Sequence, residues 1–168
     1  SATHAMGMRM IDSALSELLY KAGPWPMLRC EDILVDGPRN GYSPQAEAGG
    51  KGLPTLSISS IRDGKVIFEG NLKYASVSDE EVASYFLKAE DMLVVRGNGN
   101  KQLCGRAGLV SEPPDQCFYP DLLIRLRFDR DVLLPEFAVQ LWNEPETFAR
   151  LISRAKSSNG IWKINGKD

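Results

Sequence analysis

Residues 86–110 read FLKAEDMLVVRGNGNKQLCGRAGLV. Met92 to Val95 is an apolar run of strand length, Gly97 and Gly99 interrupt it where left-handed backbone or close backbone approach is needed, and Leu103 to Val110 resumes an extended run. The expected local order is strand, polar loop, strand. From Met92 to Ser111 there is no acidic residue, while Arg96, Lys101 and Arg106 stand beside Asn98, Asn100 and Gln102. Cations hold phosphates and carboxamides form paired hydrogen bonds to base edges, so the loop carries the chemistry of a nucleic-acid contact. On composition alone it also reads as an ordinary solvated hairpin tip.

Outward from this stretch, Ser78 followed by Glu81 has capping-box spacing, which predicts a short helix from Asp79 through Phe86. The acidic cluster at its start is therefore read as a helix terminus and not as a metal or acid–base site. Pro135 to Trp142 and Pro145 to Ala155 read as two helices, each with proline in its first turn. Phe137, Leu141, Phe148, Leu151 and Ile152 are core candidates, and Trp142 and Trp162 are read as packing residues in preference to stacking platforms. Residues 1–8, beginning SATHAM, have the look of an expression remnant, and the chain's one histidine lies there. Ile11, Leu15, Leu18 and Leu19 then predict an amphipathic helix over 9–22, ended by Gly23, Pro24 and Pro26. That stripe packs on the remainder of the chain or serves a partner. Between Met27 and Gly52, seven glycines and prolines from Gly37 to Gly52 predict a long loop that holds Arg39, Asn40, Tyr42 and Lys51.

The order of these segments resembles the target recognition domain of a type I restriction-modification specificity subunit. The resemblance runs over about residues 25–168, and the ordered set carries it rather than any single piece. LPTLSISSIRDGKVIFEGNLKYAS (53–76) comes first, followed by the Lys88 to Asp91 element and the Arg96 loop. LLIRLRFD (122–129) and a helical stretch ending SSNGIWKINGKD (157–168) complete it. It implies a mixed α/β, or α+β, fold: a twisted, largely antiparallel sheet with flanking N- and C-terminal helices, and residues 23–168 forming one recognition domain. It implies no catalytic chemistry and no cofactor. The partners it implies are double-stranded DNA, methyltransferase and restriction subunits, and a second recognition domain or self-association, with each domain reading half of a bipartite target. DNA contacts are then expected from Arg39, Asn40, Tyr42, Lys51, Arg96, Asn98, Asn100, Lys101, Arg106, Ser157, Ser158, Asn159 and Lys163. The long spacer helix expected to follow is not in the chain, which reads as half of a specificity subunit or a piece of one.

Composition is compatible with this. The 168 residues are 43% hydrophobic and 25% charged, enough for a packed core, and a net charge of −2 is not the basic footprint of a protein that holds DNA by charge alone. The distribution matters more. Residues 149–167 carry Arg150, Arg154, Lys156, Lys163 and Lys167 with no acid, whereas acids dominate 112–147. No apolar run approaches the roughly 18 residues of a membrane span, no signal peptide opens the chain, and a cytoplasmic location is expected. Cys30, Cys104 and Cys117 lack paired spacing, so neither a disulfide framework nor a zinc site is indicated.

The sequence carries no recognisable catalytic motif. Histidine-dependent nucleophile systems have no supporting residue, and Gly97-Asn98-Gly99-Asn100-Lys101 lacks the spacing of a phosphate-cradling loop. Glu112-Pro113-Pro114-Asp115 departs at both ends from the Pro-Pro-aromatic motif of adenine methyltransferases and reads as a turn. Two further classes stay open: a protein-interaction domain that uses the N-terminal helix, and a nucleotide-binding enzyme that uses the 92–106 loop as its pocket.

Overall fold

The computed structural model describes residues 28–166, together with Ala14, Glu17 and Lys21 upstream. These three positions are helical and exposed, and the Ile11, Leu15, Leu18, Leu19 stripe and the expected remnant lie outside the described residues. The strands in chain order are β1 (Leu34–Asn40), β2 (Leu53–Leu56), β3 (Ile61–Arg62), β4 (Lys65–Val66), β5 (Leu72–Ala75) and β6 (Met92–Val95). They continue as β7 (Gly97–Asn98), β8 (Ala107–Leu109), β9 (Leu123–Phe128), β10 (Lys156–Ser158) and β11 (Ile161–Lys163). Within residues 28–166 the α-helices are α1 (Asp79–Val82), α2 (Pro135–Asn143) and α3 (Pro145–Ile152).

A six-stranded sheet in the order β1-β9-β6-β8-β4-β3 is antiparallel except where β4 meets β8. The expectation of a mixed, largely antiparallel α and β architecture is borne out. Strand β6 sits inside this sheet and is buried at every position. Met92 and Val94 join Ile124, Leu126, Phe128, Ala138 and Val139 in one cluster, while Leu93 and Val95 join Leu56, Val66, Tyr119 and Leu123 in another. Side chains alternate across a strand, so a segment covered on both faces must be apolar throughout. That is why MLVV shows no polar alternation.

Strand β9 does alternate, but its second face carries arginines. Arg125 is almost wholly buried and pairs with Asp36 from β1, and its Nη1 donates to the carbonyls of Ser84 (3.2 Å) and Phe86 (3.3 Å). Arg127 grips the fully buried Asp91 with two bonds, Nε to Oδ1 at 2.6 Å and Nη2 to Oδ2 at 2.9 Å. The Lys88 amide donates to the same carboxylate at 2.8 Å. This explains the Lys88 to Asp91 element seen in the sequence: Asp91 closes the turn before β6 and neutralises a charge on the neighbouring strand.

Two helix starts follow the sequence signals. Ser78 Oγ accepts from the Glu81 amide at 3.3 Å and starts α1, which tightens into a 3₁₀ turn at Ala83–Tyr85 short of Phe86. Pro135 and Pro145 open α2 and α3, and the Glu144 carboxylate accepts from the Thr147 amide at 2.8 Å. Helix α3 stops at Ile152, before Ala155. Phe148 is buried and Leu151 and Ile152 are half-buried against the first cluster, as expected of core residues.

Three expectations need correction. The long loop between Met27 and Gly52 contains a 3₁₀ turn, Cys30–Ile33, and the whole of β1. This strand escapes a periodicity reading because it is an edge strand whose register against β9 is broken on both sides of Asp36, with a Gly-Pro pair in the irregularity. Gly37 has φ of 104°, and a Cβ there would lie 2.5 Å from the Arg125 carbonyl oxygen. The second extended run is also shorter than expected: residues 101–105 form turns, and only Ala107–Leu109 pairs, because Asn100 bends the chain back on itself. The C-terminal stretch leaves the helical state at Ile152, and 156–163 form a hairpin.

Candidate nucleic-acid interface

Immediately after β6 the chain swings out of the main sheet and β7 pairs with the C-terminal hairpin, Asn98 opposite Trp162 and Gly97 opposite Lys163. The Ile164 amide closes the junction by donating to the Arg96 carbonyl at 2.9 Å. A small sheet in the order β10-β11-β7 results, so the Arg96 loop and the basic C-terminal segment are joined by backbone bonds. Asn98, Asn100, Lys101, Ser157, Ser158, Asn159 and Lys163 are thereby gathered on one substructure.

The loop is shaped by its own amides. Asn98 Oδ1 accepts from the Asn100 amide at 2.8 Å, and Asn100 Oδ1 accepts from the Gln102 amide at 2.9 Å. Each carboxamide oxygen therefore spends one acceptor site on the turn, while the amide nitrogens remain as donors. Lys101 places its ammonium 4.4 Å from the centre of the Trp162 ring, whose other contacts are with the core. A cation held on an indole face keeps its charge and loses much of its freedom.

The two arginines behave differently from free phosphate contacts. Arg96 is three-quarters buried; its Nη1 donates to the Asp121 carbonyl at 3.2 Å and lies 3.8 Å from the Asp121 carboxylate. Arg106 lays its guanidinium 3.7 Å from the centre of the Phe148 ring, and its Nε donates to the Gln102 carbonyl at 3.3 Å. It ties the loop to α3 while its side chain stays half-buried at the surface. Asn143 and Trp142, which sequence reasoning did not select for the site, complete the clamp. Asn143 exchanges two bonds with the Ala107 backbone at 3.1 and 2.9 Å, and Trp142 Nε1 donates to the Gly105 carbonyl at 2.9 Å.

The upstream candidates belong to β1 and the segments after it; Asn40 and Val94 of β6 flank the same β9 residue, Ile124, and a Cβ on Gly166, beyond the hairpin, would lie 3.0 Å from Pro38. Arg39 and Asn40 are exposed at the end of β1, with Arg39 3.4 Å from Asp36. Tyr42 stacks on Tyr85 at 5.8 Å and donates its hydroxyl to Glu81 at 2.6 Å, and this hydrogen bond, reinforced by the Glu81 charge, raises the phenol's pKa. Its polar end is therefore engaged by an acid. Lys51 is exposed in the turn before β2. A side-chain route from this group to the loop runs through Ser43, whose hydroxyl donates to Asp121 at 2.7 Å, and thence to Arg96; a backbone route runs from Gly41 to the Leu123 carbonyl and from Leu122 to the Arg96 amide.

Across the hairpin, Lys156 and Lys163 stand directly opposite each other and are exposed. Lys156 was not among the expected contacts; the signal that would have found it is the Asn159-Gly160 dipeptide, which marks a two-residue hairpin turn and so fixes which residues face each other. Among the described residues no group of three or more histidine, cysteine, aspartate or glutamate side chains forms a metal cluster, and no helix is long and apolar enough to cross a membrane.

This basic, amide-bearing surface sits on a chain homologous to the specificity subunits of type I restriction enzymes, in agreement with the resemblance read from the sequence. The chain is 34% identical over 142 residues to the type I restriction enzyme EcoKI specificity subunit of Escherichia coli (strain K12). It is 28% identical over 141 residues to the StySPI specificity subunit of Salmonella potsdam. Each match takes in 84% of this chain and 30% of the relative, so the chain spans a little under a third of the length of these curated proteins. No family model matches the chain.

Proposed function

We propose that this chain is a DNA sequence-specificity module of a type I restriction-modification system. It is non-catalytic, reads one half of a bipartite target in double-stranded DNA, and directs methyltransferase and restriction subunits to it. The observation that carries the reading is the β7–β11 pairing, which unites an acid-free amide loop with an acid-free basic hairpin on a chain whose homologues are specificity subunits. Residues 23–168 act in this reading as one recognition domain. The surface offers what duplex DNA requires: lysines for the backbone, and amides and hydroxyls for base edges. The net charge of −2 fits a module whose partners share the neutralisation of phosphate.

Titration of the chain against labelled duplexes over a range of salt tests this. Binding whose logarithm falls linearly with the logarithm of salt concentration is expected, since each neutralised phosphate releases counterions. Absence of any binding at about 50 mM salt, where such contacts are strongest, rejects the role.

A further inference from the structure

Building on the DNA-reading role, we infer that the β10–β11 hairpin is the element that enters the major groove, with Lys156 and Lys163 straddling phosphate at its base and Ser158, Asn159 and Ile161 meeting base edges at its tip. Asn159 and Gly160 have φ of 51° and 76°, and Ser158 pairs with Ile161 on either side of them. Two successive positive φ values across a two-residue loop define a tight turn whose twist matches that of the strands, so the tip is a rigid ribbon.

The ribbon's two faces differ. Trp162 turns to the core, whereas Lys156, Ser158, Ile161 and Lys163 share the opposite face and are exposed. Like charges directly opposite on an antiparallel pair destabilise it, and among the described residues neither lysine meets a carboxylate. Such a repulsion is relieved by an anion between the two ammonium groups, and a DNA phosphate is an anion of that kind. Ile161 is 39% exposed at the tip. An aliphatic group there suits the thymine methyl, which the major groove alone presents.

Dimensions agree. A major groove about 12 Å wide and 8.5 Å deep admits a two-stranded ribbon, and the part that enters is the two-stranded tip from Ser158 to Ile161, which lies beyond the Trp162–Asn98 pair where β7 joins β11. The lysines, at the strand ends remote from the turn, then come level with the groove's phosphate rim.

The full chain is tested by selection from a randomised duplex pool at about 50 mM salt, with the salt slope measured for each variant. Lys156→Gln and Lys163→Gln are each expected to reduce the slope by about one while leaving the selected sequence unchanged, and Lys163→Arg is expected to restore the slope. Ser158→Ala combined with Asn159→Gly, which keeps the left-handed turn, is expected to keep the slope and lose base preference at one or two positions. Replacing guanine in the selected duplex by 7-deazaguanine, which removes a major-groove acceptor, is expected to weaken binding at least tenfold. Wild-type slope and selected sequence in all hairpin variants, with the wild type still selecting a motif, overturns the groove assignment and leaves the DNA-reading role standing. Equal affinity for single strands overturns the groove assignment too. A wild-type chain that selects no sequence and binds no duplex overturns both.

Discussion

Lys101 and Trp162 join the loop to the hairpin through a side-chain contact, the ammonium standing 4.4 Å from the indole centre. The contact lies beside the Asn98–Trp162 backbone pairing, so charge, ring and strand register reinforce one another. Trp162 thus has two roles, one in the core and one in positioning a cation. These roles separate on substitution.

Replacing Trp162 by leucine retains apolar bulk and removes the π face. We expect a loss of about 1–3 kcal/mol in urea-measured stability, from poorer packing and the missing cation–π term. Lys101→Ala is expected to cost no more than about 1 kcal/mol, since the cation–π contact is half-exposed. In DNA titrations Lys101→Ala should reduce the salt slope by about one at unchanged fold, as read by circular dichroism.

The Asp91–Arg127 pair provides a test of the interior. Asp91→Ala removes both carboxylate bonds to Arg127, which then keeps Asp36 at 3.5 Å, and about 1–3 kcal/mol of stability should be lost. The Asp91→Ala, Arg127→Met double variant should be more stable than the sum of the single losses predicts, because the two bonds between the pair are counted in both single losses and lost only once. Equilibrium denaturation of the four proteins in the cycle gives the coupling.

Acid should weaken the fold through Asp36. Burial works to raise its pKa, but the Arg125 guanidinium, followed by those of Arg39 and Arg127, overrides this and holds the carboxyl below its ordinary value of 3.8. The unfolded chain therefore binds this proton more readily, so the stabilisation is present above the ordinary aspartate range and is lost as pH falls below it through the depressed pKa. Asp36→Asn should be less stable than wild type at pH 7, and the gap should close as pH is lowered from about 4 toward 2. A gap that stays constant over that window would refute the linkage.

Arg96→Ala should weaken DNA binding by a route other than lost phosphate contact. Its guanidinium holds the Asp121 turn, so removal frees the Asp121 carboxylate toward the interface and loosens the junction with β11. We expect weaker binding together with faster amide exchange at Ile164, whose N–H bonds the Arg96 carbonyl. Weaker binding with unchanged exchange would return Arg96 to the simple role of a phosphate contact.

Short-range chemistry in the sequence determined much of this protein. The capping pair Ser78 and Glu81, the first-turn prolines 135 and 145 and the uniformly apolar Met92–Val95 act through neighbours along the chain, and each element formed where its signal lay. The ordered set of segments was enough to reveal the resemblance to specificity subunits. Tertiary structure alone decided what meets what. No local pattern announces that Asn98 will pair with Trp162, that Asp91 will close on Arg127, or that Tyr42 will turn to Glu81 and Arg106 to Phe148. The Asp91–Arg127 pairing is set by burial of the β6 and β9 faces, because a charge enclosed as the apolar clusters close must find a partner in the space that remains, and the other pairings follow from which surfaces the closed core leaves side by side. Strand β1 escaped notice for the same reason: its Gly37-Pro38 irregularity suits the Arg125 backbone it packs against and erases the alternation by which a strand is recognised.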